Sequence, residues 1–319
     1  AGYIHSPNVA GATVLSLGCQ HAQISLLEQE MAALHPQNEK PLLVFEQQKC
    51  QSERDMMQRA LRDTFLGVAA ANEQSREPCP LSDLVAGVEC GGSDGFSGIS
   101  ANPAVGHAAD LLAALGGAPV LSEFPELCGV EQSLCDRCTT TAMADKFVGL
   151  MRAYETAARA CGSGFEANPS PGNIRDGLIT DAMKSAGAAR KGGTSPIVDV
   201  CDYAEPVRQR GGLTLCCTPG NDVESTTALA AAGCTLILFT TGLGTPTGNP
   251  VCPTLKISTN TALAQRMPEL IDYDCGPIIT GDMTVEQCGR EIFDLMIMTA
   301  SGDSVPKAVQ LGQDDFLPW

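Results

Sequence analysis

The chain alternates short apolar runs with stretches of helical periodicity, and this alternation constrains its fold more than any other feature. The runs at residues 12–18 (ATVLSLG), 41–46 (PLLVFE) and 83–92 (DLVAGVECGG) are rich in aliphatic residues and end in small or polar ones. The stretches between them, such as residues 23–34, place apolar side chains three or four positions apart. Strands that are buried on both faces and joined by helices have this pattern. The sequence therefore predicts the α/β class, with a mainly parallel sheet flanked by helices.

The same pattern continues beyond an irregular segment at residues 161–173 (CGSGFEANPSPGN), which Gly, Pro and Asn mark as a loop. Further apolar runs follow it as SPIVDV, GGLTLCC, CTLILFTT and PTLKIS. Because no Pro/Ser-rich or charged linker separates two halves, the pattern indicates one α/β domain across residues 1–319.

The chain is acidic, with 37 Asp and Glu against 20 Lys and Arg and a formal charge of −17. Nucleic acid is not an expected partner, since phosphate binding needs clustered Lys and Arg. No apolar run approaches the roughly 18 residues of a membrane-spanning helix, and the first residues do not follow the signal-peptide pattern. The 15 cysteines are odd in number and lack the spacing of a small disulfide scaffold. We therefore expect free thiols, a cytoplasmic location and no membrane partner.

Small and polar residues follow several of the predicted strands. Ligands of parallel α/β sheets bind beyond the carboxyl ends of the strands, so these segments form the candidate site. They are residues 18–21 (GCQH), 89–103 (ECGGSDGFSGISANP), 122–123 (SE), 217–225 (CTPGNDVES) and 240–248 (TTGLGTPTG).

The glycine-rich segment at residues 89–103 fits two interpretations. In the first, free backbone N–H groups at a helix N-terminus bind a carboxylate, or the side chains of Cys90, Ser93, Asp94 and Asn102 bind a metal. In the second, the segment is a tight turn that starts a helix. The residues alone leave both open.

Cys19 and Cys90 follow predicted strands, and thiolates at such positions bind iron or zinc. The alternative is that both are ordinary buried thiols, as most of the cysteines must be. Cys135 and Cys138 form a single CxxC in a helical-looking run, which is a weak metal signal. His21, beside Cys19, is either structural or catalytic.

The Thr- and Gly-rich segment at residues 240–250 either surrounds a substrate or is a plain tight loop. It matches neither a dinucleotide fingerprint nor a Walker loop. The G-x-S-x-G elbow of α/β hydrolases is also missing. Neither a nucleotide cofactor nor a Ser-His-Asp hydrolase is therefore expected.

Long strings along the chain resemble one known family. In order they are GCQHAQ, ECGGSDGFSGISANPAVG, LSEFPELCGVEQ, ANPSPGN, LTLCCTPGNDVESTTALAAAG, LILFTTGLGTPTGNPVCPTLKISTNT, GPIITGD and LGQDDFLPW. In these strings the chain is similar to the altronate/galactarate dehydratase family, and TPGNDVESTT and the tail favour the altronate branch. The large subunit of sulfolactate sulfo-lyase resembles the same core.

The resemblance implies a metal-dependent lyase that removes water from an aldonate or aldarate and yields a 2-keto-3-deoxy acid. It also implies a divalent metal, iron(II) first, a Rossmann-like variant of the α/β fold and a homodimer. Whole members carry a small β-rich N-terminal domain and a further segment before this part. Residues 1–319 are therefore interpreted as the catalytic core without that domain and without part of the following segment, with a separate N-terminal subunit or domain as a potential partner.

The resemblance also carries over metal ligands. They are Cys19 and Cys90. Beyond the resemblance, Asp94 or Glu123 at the predicted strand ends is proposed as an additional ligand. An iron–sulfur cluster is the alternative cofactor, with a third thiol from Cys128 or from the missing region. Either group would stabilise the enolate that forms when the proton next to a carboxylate is removed.

The residues predicted to bind substrate oxygens are Ser93, Asn102, Thr245 and Asn260. Lys256 is predicted to bind the carboxylate or to act as the base, or else it is a solvated lysine at a strand end. Asp222 and Glu224 are acid/base candidates, although the same turn would also cap a helix. Two alternatives to a dehydratase stay open: a non-catalytic subunit that binds a sugar acid, and a sulfolactate sulfo-lyase-type carbon–sulfur lyase.

Overall fold

A computed structural model describes residues 1–34, 36 and 40–319. The chain forms two compact units, Ala1–Pro78 and Cys79–Trp319. This differs from the single domain that the pattern indicates. The boundary lies in the short irregular segment at residues 74–80, which is too brief to stand out as a linker by composition.

The first unit is a small α/β structure. Its two strands, β1 (Ala12–Ser16) and β2 (Leu42–Glu46), pair in parallel. Its helices are α1 (Gly2–His5), α2 (Ile24–Leu34) and α3 (Glu53–Ala71). The third helix begins where the Ser52 hydroxyl accepts a hydrogen bond from the Asp55 amide, a common helix cap.

The second unit contains a seven-stranded sheet in which every strand pair is parallel. The strands are β3 (Val85–Cys90), β4 (Ala118–Leu121), β5 (Ile197–Cys201), β6 (Leu213–Cys216), β7 (Leu236–Thr241), β8 (Thr254–Ser258) and β9 (Tyr273–Asp274), in the spatial order β5-β6-β4-β3-β7-β8-β9. The chain leaves β3 towards β4 on one side and later returns to β7 on the other. Ligands of open parallel sheets bind at such a switch point. The predicted α/β class with a parallel sheet is confirmed.

Helices surround this sheet. They are α4 (Ala101–Ala114), α5 (Glu131–Cys135), α6 (Thr141–Ala160), α7 (Pro171–Arg175), α8 (Asp181–Ala189), α9 (Asp222–Ala231), α10 (Thr261–Arg266), α11 (Gly276–Thr280), α12 (Val285–Ser301) and α13 (Lys307–Gln310). None of the described helices is long and apolar enough to cross a membrane.

The central strands are fully buried, as their apolar sequences predict, but they also contain polar side chains. Glu89 on β3 and Lys256 on β8 have no solvent exposure. Charged groups are almost never buried in this way unless they are paired, because desolvation is costly. These interruptions of an apolar sheet point to the candidate site.

Candidate active site

Four carboxylates and a thiol converge where β3 and β4 end and α9 begins, and we call this group the carboxylate cluster. Glu89 and Cys90 end β3, Glu123 and Glu126 follow β4, and Asp222 is the first residue of α9. Ligand atoms of Cys90, Glu123 and Glu126 all lie within 4.8 Å of one another, as do those of Glu89, Glu123 and Asp222. The predicted ligands Cys90 and Glu123 are thus brought together, and Glu123 belongs to both groups.

Two buried lysines neutralise part of this charge. The Lys191 ammonium lies 2.5 Å from a carboxylate oxygen of Glu123, and the Lys184 ammonium lies 2.8 Å from one of Glu126. Lys184 belongs to α8 and Lys191 to the turn that follows it. These two ammonium groups offset the charges of Glu123 and Glu126.

Burial and mutual repulsion shift the pKa values of the cluster in different directions. Burial raises the pKa of Glu89 well above its usual value, and the charge of Glu123 adds to this. Burial also opposes ionisation of Glu126, but Lys184 and Lys191 outweigh it and leave the pKa of Glu126 below its usual value. The cluster therefore holds carboxyl groups with different proton affinities.

Glu123 has a strained backbone. Its φ of 64° and ψ of 59° place a non-glycine residue in the left-handed region. Its amide donates to the Thr218 hydroxyl at 2.8 Å, and its carboxylate accepts from the Cys90 amide at 2.9 Å. Strain of this kind concentrates at functional sites, where surrounding contacts enforce it.

Two carboxylate oxygens of the cluster have no hydrogen-bond partner although they are buried: Oε1 of Glu89 and Oε1 of Glu123. The other oxygen of Glu89 accepts from the hydroxyls of Ser122 and Ser225, both at 2.6 Å. An unpaired buried oxygen is costly, and a proton or a cation between the two carboxylates would remove that cost. Burial and the charge of Glu123 raise the pKa of the Cys90 thiol well above its usual value, so metal binding there would displace the thiol proton. Carboxylate oxygens with one cysteine sulfur suit a divalent transition metal, so the residues present fit such an ion.

The strand register places Lys256 on the same side of the sheet as Glu89. Glu89 of β3 lies opposite Phe239 of β7, and Phe239 lies opposite Lys256 of β8. The Lys256 ammonium donates to the Thr247 carbonyl and lies 3.5 Å from the centre of the Phe239 ring. The interpretation of Lys256 as a solvated strand-end lysine is therefore wrong, because β8 is an interior strand.

Lys256 and Asp222 have unusual proton affinities. Burial lowers the pKa of Lys256 to about 7, against the opposing charge of Asp222. Burial raises the pKa of Asp222 to about 7, with repulsion from Glu123 as the next cause. Groups that titrate near neutral pH suit general acid–base catalysis. The Asp222 carboxylate does not cap its helix, since the cap residue of α9 is Asn221.

Other predicted residues form what we call the Asp94 network. One oxygen of the Asp94 carboxylate accepts from Thr259 Oγ1 at 2.9 Å and Asn260 Nδ2 at 3.1 Å. Its other oxygen accepts from the Ser97 hydroxyl at 3.0 Å and the Phe96 amide at 3.1 Å. Asp94 is outside both groups of metal-ligand atoms found among the described residues. Its hydrogen bonds link the loop after β3 to the loop after β8.

Asn102 and Ser93 differ in how far their side chains are engaged. The Asn102 amide donates to the Gly187 carbonyl and accepts from the Thr240 hydroxyl, so both of its polar atoms are used. Both residues are buried and line a small cavity together with Cys90 and Glu126 of the carboxylate cluster. Of the two, Ser93 is the better placed to meet a bound group.

Thr245 and Glu224 belong to the predicted strand-end segments at residues 240–248 and 217–225. Thr245 is partly exposed, and its amide donates to the Thr241 hydroxyl. Glu224 is on the first turn of α9, and its buried Oε2 has no hydrogen-bond partner. Their predicted roles stay predictions.

Cys19 belongs to the first unit. Its thiol is exposed and accepts a hydrogen bond from Gln48 Nε2 at 3.2 Å. The predicted pairing of Cys19 with Cys90 at one metal stays a prediction. Cys128, the proposed third thiol of an iron–sulfur cluster, is exposed in the second unit.

Sequence reasoning gave no role to Glu89, although it lies in a candidate segment, and missed Glu126, Lys184 and Lys191. For Glu89 a signal existed, since a carboxylate interrupts the apolar run VAGVEC. The lysines had no such signal. Lys191 lies 68 residues from Glu123 along the chain, and only tertiary packing brings the two together.

Comparison with known proteins identifies the family. Residues 81–319 match the family model described as D-galactarate/Altronate dehydratase, C-terminal, and residues 1–72 match D-galactarate dehydratase/Altronate hydrolase, second domain. The chain belongs to the D-galactarate/altronate dehydratase family. The two matches also coincide with the two units of the structure.

Named relatives fall into three activities. The chain is 40% identical to "Altronate dehydratase" of Bacillus subtilis over 302 residues, which cover 95% of this chain and 59% of the relative. It is 35% identical over 301 residues to "Galactarate dehydratase (L-threo-forming)" of Escherichia coli, with 93% and 57% covered. It is 33% identical over 258 residues to "(2R)-sulfolactate sulfo-lyase subunit beta" of Chromohalobacter salexigens, with 78% and 64% covered. The chain thus spans less than two thirds of each of these relatives.

Proposed function

We propose that this chain carries the active site of a hydro-lyase that removes water from a sugar acid, such as altronate or galactarate, and yields a 2-keto-3-deoxy acid. The observation that carries the proposal is the carboxylate cluster, with its strained Glu123, its unpaired buried oxygens and two neighbouring groups that titrate near neutral pH. The named dehydratases among the relatives support the same reaction class.

The proposed cofactor is a divalent metal, iron(II) first, held by Cys90, Glu123 and Glu126. When bound there, the ion supplies Lewis acidity towards the carboxylate and the leaving hydroxyl of the substrate. The convergence of four carboxylates supports a divalent cation, which would also help an anionic substrate to approach an acidic protein. The donor set favours a single ion over an iron–sulfur cluster, since Cys90 is the one thiol among the described ligand groups.

Within this proposal, Lys256 is the base and Asp222 is the acid. A lysine with a pKa of about 7 is partly neutral at physiological pH, so its amine can accept the proton next to the substrate carboxylate. An aspartate with a pKa of about 7 is partly protonated there, so it can donate a proton to the departing hydroxyl. The base requires pH above about 7 and the acid requires pH below about 7. The rate should therefore peak near neutral pH and fall on both sides.

Assembly as a homodimer and a cytoplasmic location belong to the same proposal. The family resemblance supports the homodimer. The cysteines, all 15 of which are free thiols, support the cytoplasmic location. A sulfo-lyase-type reaction is the second candidate, because the match to the sulfo-lyase subunit covers 78% of this chain.

The test uses the full-length natural protein, purified anaerobically and supplied with iron(II). Altronate, galactarate and (2R)-sulfolactate are offered separately, and 2-keto-3-deoxy acid and sulfite are measured. A keto acid from altronate or galactarate supports the proposal, and sulfite from sulfolactate supports the second candidate. Absence of product in all three arms would leave a sugar-acid-binding subunit as the better account.

A further inference from the structure

The last residues of the chain, 313–319 (QDDFLPW), run over the second unit without forming a helix or a strand. At one end of this segment, the Asp315 carboxylate accepts a hydrogen bond from the Gly248 amide at 3.1 Å. The Gln313 carbonyl approaches so closely that a β-carbon at Gly248 would lie 1.9 Å from it. A glycine at this position is therefore required by the segment itself.

At the other end the segment is attached to α9 and to the loop between β5 and β6. The Leu317 amide donates to the Thr227 hydroxyl at 3.1 Å, and the Trp319 amide donates to the Tyr203 hydroxyl at 2.9 Å. The Trp319 ring meets the rings of Tyr154 and Tyr203 edge-on, with centroids 4.9 and 5.5 Å away. Edge-to-face pairs of this kind stabilise a contact beyond the area that they bury.

Each attachment point belongs to an element that contacts or contains the proposed base or acid. Gly248 follows Thr247, whose carbonyl accepts the hydrogen bond from the Lys256 ammonium. Thr227 lies on α9, which begins at Asp222. The segment therefore connects the loop that holds the proposed base to the helix that presents the proposed acid.

We propose that residues 313–319 form a positioning strap that holds the Lys256 amine and the Asp222 carboxylate in register with each other. The inference rests on the proposed function, since it concerns the acid and base of that same site. No strap residue is among the proposed ligands of the metal or of the substrate, so the strap is proposed to act through Lys256 and Asp222. The loop at residues 242–253 contains no helix or strand of its own, and such a loop depends on side contacts for its conformation.

The test compares Asp315→Ala with Asp314→Ala in the complete protein. Asp314 is an exposed neighbour and serves as the matched control. In Asp315→Ala we expect faster backbone hydrogen exchange at residues 244–249 and a kcat lower by on the order of tenfold, because small misplacements of reacting groups have large effects on rate. KM should change by less than about twofold, since substrate contacts are intact. Asp314→Ala should match the wild type in all three measurements.

A second pair of variants tests the other end. Trp319→Ala should speed hydrogen exchange in residues 222–227 and lower kcat, while Trp319→Phe keeps an aromatic ring and should restore most of both. Circular dichroism and thermal unfolding verify that each variant is folded. This pair separates positioning from a general loss of stability. A general loss of stability would speed hydrogen exchange in many elements, whereas loss of positioning should speed it mainly in α9.

The failure of the strap and the failure of the proposed function give different results. If the wild type dehydrates a sugar acid and both Asp315→Ala and Trp319→Ala keep its kcat, the strap inference is overturned, whatever their exchange rates. If the wild type does not dehydrate a sugar acid, the proposed function fails. Hydrogen exchange then remains as the test of the strap. Unchanged exchange at residues 244–249 in Asp315→Ala and at residues 222–227 in Trp319→Ala would overturn the strap inference as well.

Discussion

The carboxylate cluster and the Asp94 network lie at the carboxyl ends of the same sheet, and the sequence predicts ligands in both. Their chemistry differs. The Asp94 carboxylate is saturated by four hydrogen-bond donors. In the cluster, Glu123 is strained and one of its oxygens is unpaired. A saturated carboxylate stabilises loops, whereas an unsaturated and strained one is prepared to bind something else.

The largest effect is expected from Glu123→Gln. The substitution removes the charge that pairs with Lys191 and leaves a buried ammonium without its partner. We expect the free energy of unfolding to fall by about 3 kcal/mol and dehydration of the sugar acid to become undetectable. Urea unfolding and the keto-acid assay measure the two effects. Glu269→Gln, on the exposed surface, is the control. A Glu123→Gln variant with wild-type turnover would contradict the distinction between the carboxylate cluster and the Asp94 network.

Lys256→Met should separate activity from stability. Turnover should fall on the order of 10²- to 10⁴-fold if Lys256 is the base. Stability should not fall, because burial disfavours the charged ammonium in the folded chain, as the lowering of the pKa of Lys256 to about 7 indicates. The cost of burying the ammonium is therefore fully present below pH 7 and disappears above the pKa of the unfolded chain.

The measurement for Lys256→Met is a thermal unfolding curve at pH 6 beside the turnover assay. We expect a melting temperature equal to or above that of the wild type. Lys146→Met, which breaks a surface ion pair with Glu205, is the control and should leave turnover unchanged. A destabilised Lys256→Met that retains turnover would mean that the lysine is structural.

Asp222→Asn should change how stability depends on pH. Burial raises the pKa of Asp222 to about 7 in the folded chain, from 3.8. As pH rises from 3.8 to about 7, ionisation of the buried Asp222 carboxyl increasingly destabilises the folded wild type. The asparagine variant has no such group and does not lose this stability. Urea unfolding at pH 5 and pH 8 should show the variant gaining on the wild type at the higher pH. Asp303→Asn, at an exposed position, should show no such trend.

The smallest effect is expected from Asp94→Asn. An asparagine keeps one acceptor oxygen but turns an NH₂ group towards donors, so some hydrogen bonds of the Asp94 network are lost. We expect a loss of about 1 to 2 kcal/mol in the free energy of unfolding and a turnover within about threefold of the wild type. A loss of turnover as complete as in Glu123→Gln would remove the distinction between the two regions.

Much of the fold followed from the sequence because buried parallel strands leave a clear apolar signature. VAGVEC and TLKIS became strands β3 and β8, and the loop at residues 161–173 contains only a short 3₁₀ turn and the start of α7. The division into two units did not follow, since the irregular segment before Cys79 resembles any other loop.

The candidate site followed only in part. Cys90 and Glu123 were identified because each lies at the end of a predicted strand. Lys184 and Lys191 were not, because their side chains reach the cluster from a helix and a turn that are distant in sequence. Local pattern contains no information about such pairs. Nor could residue type alone distinguish Asp94 from Glu123, since hydrogen-bond saturation is a property of the folded chain.

The central claim is that the carboxylate cluster, and not the Asp94 network, binds the divalent metal of a dehydratase. The most direct measurement is anaerobic iron(II) binding by the complete protein in three forms: wild type, Glu123→Gln and Asp94→Asn. The account predicts that the wild type and Asp94→Asn bind iron(II) with similar affinity, and that Glu123→Gln binds it at least about tenfold more weakly. Undiminished iron(II) binding by a folded Glu123→Gln variant would contradict the account.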